Sequence, residues 1–98
     1  MIARHQFRAY AGADTTLTCW IRDEAGRHDL SGADVTVVVK RPNGYVVATL
    51  EATGSDQGEV TFEVTADTVS QQLAPGVFNV EILADGAVVG LGHLEVLG

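Results

Sequence analysis

The stretch from Gly58 to Ile82 constrains this chain more than any other. Val60, Phe62 and Val64 alternate with Glu59, Thr61 and Glu63, and Phe78, Val80 and Ile82 alternate in the same way with Asn79 and Glu81. A period of two places one apolar row on each strand, facing a core, and one polar row facing water. The bridge from Asp67 to Leu73 is too short for an ordinary crossover helix. It is long enough to carry the chain from one sheet to another. The expectation is a protein of two packed sheets.

The rest of the chain repeats the pattern. Ninety-eight residues make a single domain, taken here as 1–98, and a chain of this size buries roughly 60–65% of its unfolded surface. A partner subunit would therefore add to a modest stability. An edge strand is expected near Gln6 to Tyr10, within an N-terminal arm of residues 1–13 that is either mobile or laid on a neighbour. Thr15 to Arg22 follows, with Leu17, Cys19 and Ile21 on one face and Thr16, Thr18, Trp20 and Arg22 on the other. After a turn at Asp23 to Arg27, Asp34 to Lys40 turns Val35, Val37 and Val39 inward. Arg41-Pro42-Asn43-Gly44 is a turn signal, because Pro42 pre-sets φ and Gly44 accepts a positive one. Tyr45 to Ala52 returns with Val46, Ala48 and Leu50 inward.

Beyond Glu59 to Thr65, a single helical turn capped by Asp67 or Thr68 is expected before Pro75 stops it. Val77 to Ala84 and Val88 to Leu97 close the chain around Asp85-Gly86, a two-residue hairpin signal. Seven strands at this spacing predict an all-β fold, an antiparallel β-sandwich with Greek-key connections. The expected core is Leu17, Cys19, Ile21, Val35, Val37, Val39, Val46, Ala48, Leu50, Val60, Phe62, Val64, Phe78, Val80, Ile82, Leu94 and Val96.

The net charge of −7 is unevenly written along the chain. Residues 1–49 hold all six basic residues and five acids, whereas residues 50–98 hold eight acids and no base. That asymmetry suits head-to-tail docking between copies, or docking on a basic neighbour, or equally serves solubility with no partner, and it argues against nucleic acid as a partner. There is no long apolar run and no signal peptide at Met1 to Gln6, so a soluble protein with no membrane partner, made in a cytoplasm, is expected. Cys19 has no second cysteine to pair with and reads as a small buried apolar residue.

Chemistry is hard to find. His5, His28 and His93 lack metal-ligand spacing. Ser31, Ser55 and Ser70 lack a nucleophile-elbow context. Glu59 and Glu63 share a strand face without a calcium loop. Gly86 to Gly92 precedes no helix and no lysine, so it is not a phosphate loop. The expectation is no catalytic residue, no metal and no cofactor. More informative are apolar residues on faces that should be polar. Trp20, Val38, Tyr45 and Val47 would form one patch if their strands share a sheet, and Trp and Tyr are favoured interface anchors. Arg4, Phe7 and Arg8 of the arm would add pairing or salt bridges to neighbours. The alternative is that the arm covers this surface within the same molecule.

Ala13-Asp14-Thr15, Leu30-Ser31-Gly32-Ala33, Gly58-Glu59-Val60-Thr61-Phe62, Leu73-Ala74-Pro75-Gly76-Val77-Phe78 with Glu81, and Gly92-His93-Leu94-Glu95-Val96 together carry a resemblance. In these residues the chain resembles the N-terminal immunoglobulin-like domain of phage baseplate upper proteins and related phage virion modules. The resemblance spans nearly the whole chain and rests on turn glycines and core apolars. It implies an immunoglobulin-like sandwich and a non-enzymatic, multi-copy structural role in the virion. The place would be the tail or baseplate, or the capsid as a cement or decoration protein. The implied partners are other virion proteins or copies of itself, in a homo-oligomer or symmetric assembly. A carbohydrate- or cell-surface-binding module, using Trp20 and Tyr45 as a stacking platform, is the alternative.

Overall fold

The computed structural model describes residues 4–10, 12–23, 26–27, 29–65 and 75–97. The alternating segments form strands with nearly the expected bounds. They are β1 (Arg4–Tyr10), β2 (Thr15–Trp20), β5 (Val35–Lys40), β6 (Val46–Gly54), β7 (Glu59–Val64), β8 (Gly76–Ala84) and β9 (Ala87–Leu97). Asp23 to Arg27, expected as a plain turn, contributes a two-residue ladder between β3 (Arg22–Asp23) and β4 (Gly26–Arg27). The helical turn expected around Asp67 and Thr68 lies outside the described residues.

The hydrogen-bonded order is β1-β9-β8-β5-β6-β7-β2. β6 is the strand that makes two layers of it. It pairs with β5 through Val46–Ala52 and with β7 through Ala52–Gly54, leaving one layer for the other along its length. The long layer is β1-β9-β8-β5 with the first part of β6, and the short layer is the end of β6 with β7 and β2. The ladders are antiparallel except β1–β9, where Arg4↔Leu91 through Tyr10↔Leu97 run parallel. Parallel neighbours need a long connection, and nearly the whole chain separates these two.

Apolar residues from both layers meet between them, and among the described residues no polar or charged side chain is fully buried. The expected core is buried with two exceptions. Leu17 is only partly covered, and Val46 is 48% exposed. The cause at Val46 is a register shift: Val39 faces Ala48, but Lys40 faces Val46, so Val47 is an extra residue in β6. A bulge turns the strand beyond it over, as bulges do, and sends Val46 to the outer face beside Lys40.

Three buried residues were not in the expected core: Phe7, Ala9 and Leu30. Leu30 fills the gap between the layers at one end of the sandwich. A Cβ at Gly54 would stand 2.6 Å from the Cβ of Leu30, so only glycine allows β6 to pass this close. The Leu30 amide donates to the Ser55 carbonyl (2.9 Å) and holds the plug in place.

Candidate interaction surface

The ladder decides whether the expected patch exists. Trp20 faces Glu59, next to the Val60–Gly54 pair at the far end of β6, whereas Tyr45 precedes Val46 at its start. At about 3.3 Å per residue, the eight steps from Val46 to Gly54 put roughly 26 Å between those ends. Trp20 and Tyr45 therefore stand at opposite ends of the sandwich. Val38 does face outward, half-buried between Thr49 and Glu81. Val47, the bulge residue, packs partly against the core instead of joining it on the surface. The four residues do not make one patch.

The N-terminal segment also differs from the expected arm. Arg4 to Tyr10 is a strand of the chain's own long layer, docked on β9. It does not cover Trp20 or Tyr45, which remain 42% and 67% exposed. Phe7 is buried and meets Phe62 edge to face at a ring separation of 5.2 Å, so it has no surface to give a neighbour. Arg8 is exposed but already bonds Glu95 within the chain, Nε to Oε1 at 3.2 Å. The side chain of Arg4 lies outside the described residues.

A different set of exposed apolar residues shares one end of the molecule, and sequence reasoning missed it. Tyr10, Tyr45, Val46 and Val77 are all well exposed and all belong to the end of the molecule that carries the Arg41–Tyr45 turn. The registers show why: Tyr10 faces Leu97, Val77 faces Glu95, and Lys40, which leads into the turn, faces both Asn79 and Val46. Beside Val77 the outer face holds a shallow depression of about 510 Å³, lined by Gln6, Arg8, Val77, His93 and Glu95 among others. The available signal was in Val77 and Tyr10, apolar residues at strand positions pointing away from the core.

The charge asymmetry of the sequence does not carry over directly into separate halves of the sheet. The strand order interleaves the first half of the chain with the second, and two ion pairs among the described residues join a base of the former to an acid of the latter. Arg8 meets Glu95, and Lys40 meets Glu81 at 3.0 Å, both on the outer face of the long layer. Surface pairs of this kind stabilise by about 0–1 kcal/mol each, and they bring charges of the two halves together on one face.

Groups with chemical potential occupy structural places. Ser31 donates its hydroxyl to Asp29 (2.6 Å), and Ser55 Oγ accepts the amides of Gln57 and Glu59 (3.2 and 3.1 Å). His28 and Ser70 lie outside the described residues. Among the described residues, no three His, Cys, Asp or Glu side chains gather in a way that would hold a metal. Burial pushes the Cys19 thiol up to about 11, far from a reactive thiolate. Burial also lowers the pKa of His5, whose Nε2 is closed off from solvent and makes no hydrogen bond.

Set against solved structures, the chain is similar to the Lin-41 filamin domain, at a TM-score of 0.56 and 22% identity, over 91% of this chain and 81% of that one. The fold is immunoglobulin-like. A second likeness is to a chain in the complex of ICOS with ICOS-L and an anti ICOS-L VNAR domain, at a TM-score of 0.50 and 17% identity. It covers 99% of this chain and 55% of that one. At these identities the likeness concerns architecture alone. No protein-family model matches the chain, and no curated protein is similar to it.

Proposed function

We propose that the chain is a non-enzymatic virion module, present in several copies, that works by burying surface against copies of itself or other virion proteins. The observation that carries this reading is the exposed apolar set Tyr10, Tyr45, Val46 and Val77 at one end of a sandwich whose core is otherwise closed. Aromatic anchors with an arginine beside them are the usual energetic centre of a protein interface, and Arg41 adjoins Tyr45 here, its amide donating to the Tyr45 carbonyl at 2.8 Å. The phage assignment, on tail, baseplate or capsid, rests on the resemblance in the turn and core residues described above. The carbohydrate reading loses its platform, because a sugar cannot stack on Trp20 and Tyr45 at once.

Size-exclusion chromatography with light scattering, at low and high salt, tests the proposal together with binding to purified phage particles. Self-association or particle binding is expected, weakened by Tyr45→Glu and Val77→Glu and little affected by Trp20→Ala. A strictly monomeric protein that also ignores particles sinks it.

A further inference from the structure

We propose that His5 is an acid-sensitive latch: protonation of its ring releases the first strand from β9. His5 sits on the inward face of β1, with Phe7 and Ala9, and its partner on β9 is Gly92. Its Nε2 is sealed from water and has no hydrogen-bond partner. A neutral imidazole tolerates that position at modest cost. An imidazolium does not, because both ring nitrogens then carry N–H groups that need acceptors, and the charge needs solvent or an anion.

Among the described residues, no anion lies on the faces that surround it. On β9 the inward neighbours of Gly92 are Gly90 and Leu94. Across the layers, β2 turns Leu17 and Cys19 inward, and β7 turns Val60, Phe62 and Val64. Cys19 is the one titratable group among these described residues, and it stays a neutral thiol. Arg8, His93 and Glu95 lie on the opposite face of the long layer, Glu59 and Glu63 on the outer face of the short one. The Arg4 side chain is outside the described residues.

Among the described residues, a single ladder resists the release. β1 stands at the end of the hydrogen-bonded order and is paired with β9 alone. The charged ring reaches water most directly if the start of β1 lifts away, and the burial that lowers the His5 pKa acts in the same direction. Lifting β1 would leave β9 as an open edge able to accept another strand.

Amide hydrogen exchange at about pH 7.5 and about pH 5, corrected for intrinsic rates, brackets the ordinary histidine range and tests the latch. In the wild type, protection of β1 and its β9 partners should fall several-fold at the acid pH, while β5 and β8 keep theirs. His5→Phe should abolish that difference, and His93→Gln should leave it intact. Unchanged β1 protection in the wild type overturns the proposal, as does a His5→Phe protein with the wild-type response. Should His5→Phe fail to fold, NMR titration of the His5 ring in the wild type decides: titration at the ordinary histidine pKa with β1 still protected also overturns it.

Discussion

Phe7 and Phe62 meet edge to face with their ring centroids 5.2 Å apart and their planes inclined by 77°. Their strands, β1 and β7, are first and sixth in the hydrogen-bonded order, so no ladder brings them together. Only the folding of the sheet into two layers does. Truncating Phe7 to alanine should cost up to about 3–5 kcal/mol in urea denaturation, the range for a buried phenylalanine. In a double-mutant cycle with Phe62→Ala, a coupling of about 0.5–1.5 kcal/mol is expected beyond the separate burial terms. Strict additivity would mean the rings do not support one another.

Gly92 and Gly90 should respond differently to alanine. A Cβ at Gly92 would collide with the carbonyl oxygen of His5, which is backbone and cannot step aside unless β1 moves. At Gly90 the nearest atoms are the Cδ1 ends of Ile21 (3.0 Å) and Ile82 (3.2 Å), which can turn away. Gly92→Ala is therefore expected to lose roughly 1–3 kcal/mol and to expose β1 amides to exchange. Gly90→Ala should cost less and leave β1 protected.

Cys19 supplies an alkaline limit. Its thiol is pushed up to about 11 when folded, against an ordinary 9.0. The unfolded thiol ionises first as pH rises, so the unfolded state holds fewer protons and stability falls between about pH 9 and about pH 11. Below about pH 9 the contribution is fully present. Denaturation curves across that window should show the slope in wild type and lose it in Cys19→Ala. A thiol reagent at mildly alkaline pH should label the protein only after unfolding.

The Asp85–Gly86 turn is the position where side-chain chemistry and backbone agree most closely. Asp85 has φ 50° and Gly86 φ 86°, the paired positive values of a I′ hairpin. The Asp85 carboxylate also accepts the Asp34 amide (2.9 Å), and its own amide donates to the Asp34 carbonyl (2.9 Å). Asp85→Ala loses both the side-chain bond and a residue suited to positive φ, and should cost about 1–2 kcal/mol by urea denaturation. Asp85→Asn, which keeps an acceptor oxygen and tolerates the conformation, should recover most of it.

The strands and most of the core were legible because alternation reports a local property, which side of a strand a residue occupies. Three features were not local. Val46 was assigned inward by counting in twos from Ala48, and a bulge at Val47 breaks that count without leaving a mark in composition. Leu30 sits outside any strand and is buried because Gly54, far along the chain, leaves it room. The surface failed for the same reason. A patch requires knowing which strand ends coincide, and alternation says nothing of whether Trp20 lies near Tyr45 or at the other end of β6. The charge asymmetry is of the same kind, since distance along the chain is not distance across a sheet that interleaves its halves.

The parallel pairing of β1 with β9 also bears on how the protein is made. A ribosome releases the residues of β1 well before those of β9, so Phe7 and Ala9 have no seat until nearly the whole segment has emerged. During that interval an apolar strand is unattended, and the sheet it will border is unfinished on the same side. Folding that depends on its two furthest segments is slow to close and open to pairing with a neighbouring nascent chain. Where nascent chains are crowded on one message, that crowding would set the yield of correctly closed molecules as much as their final stability does.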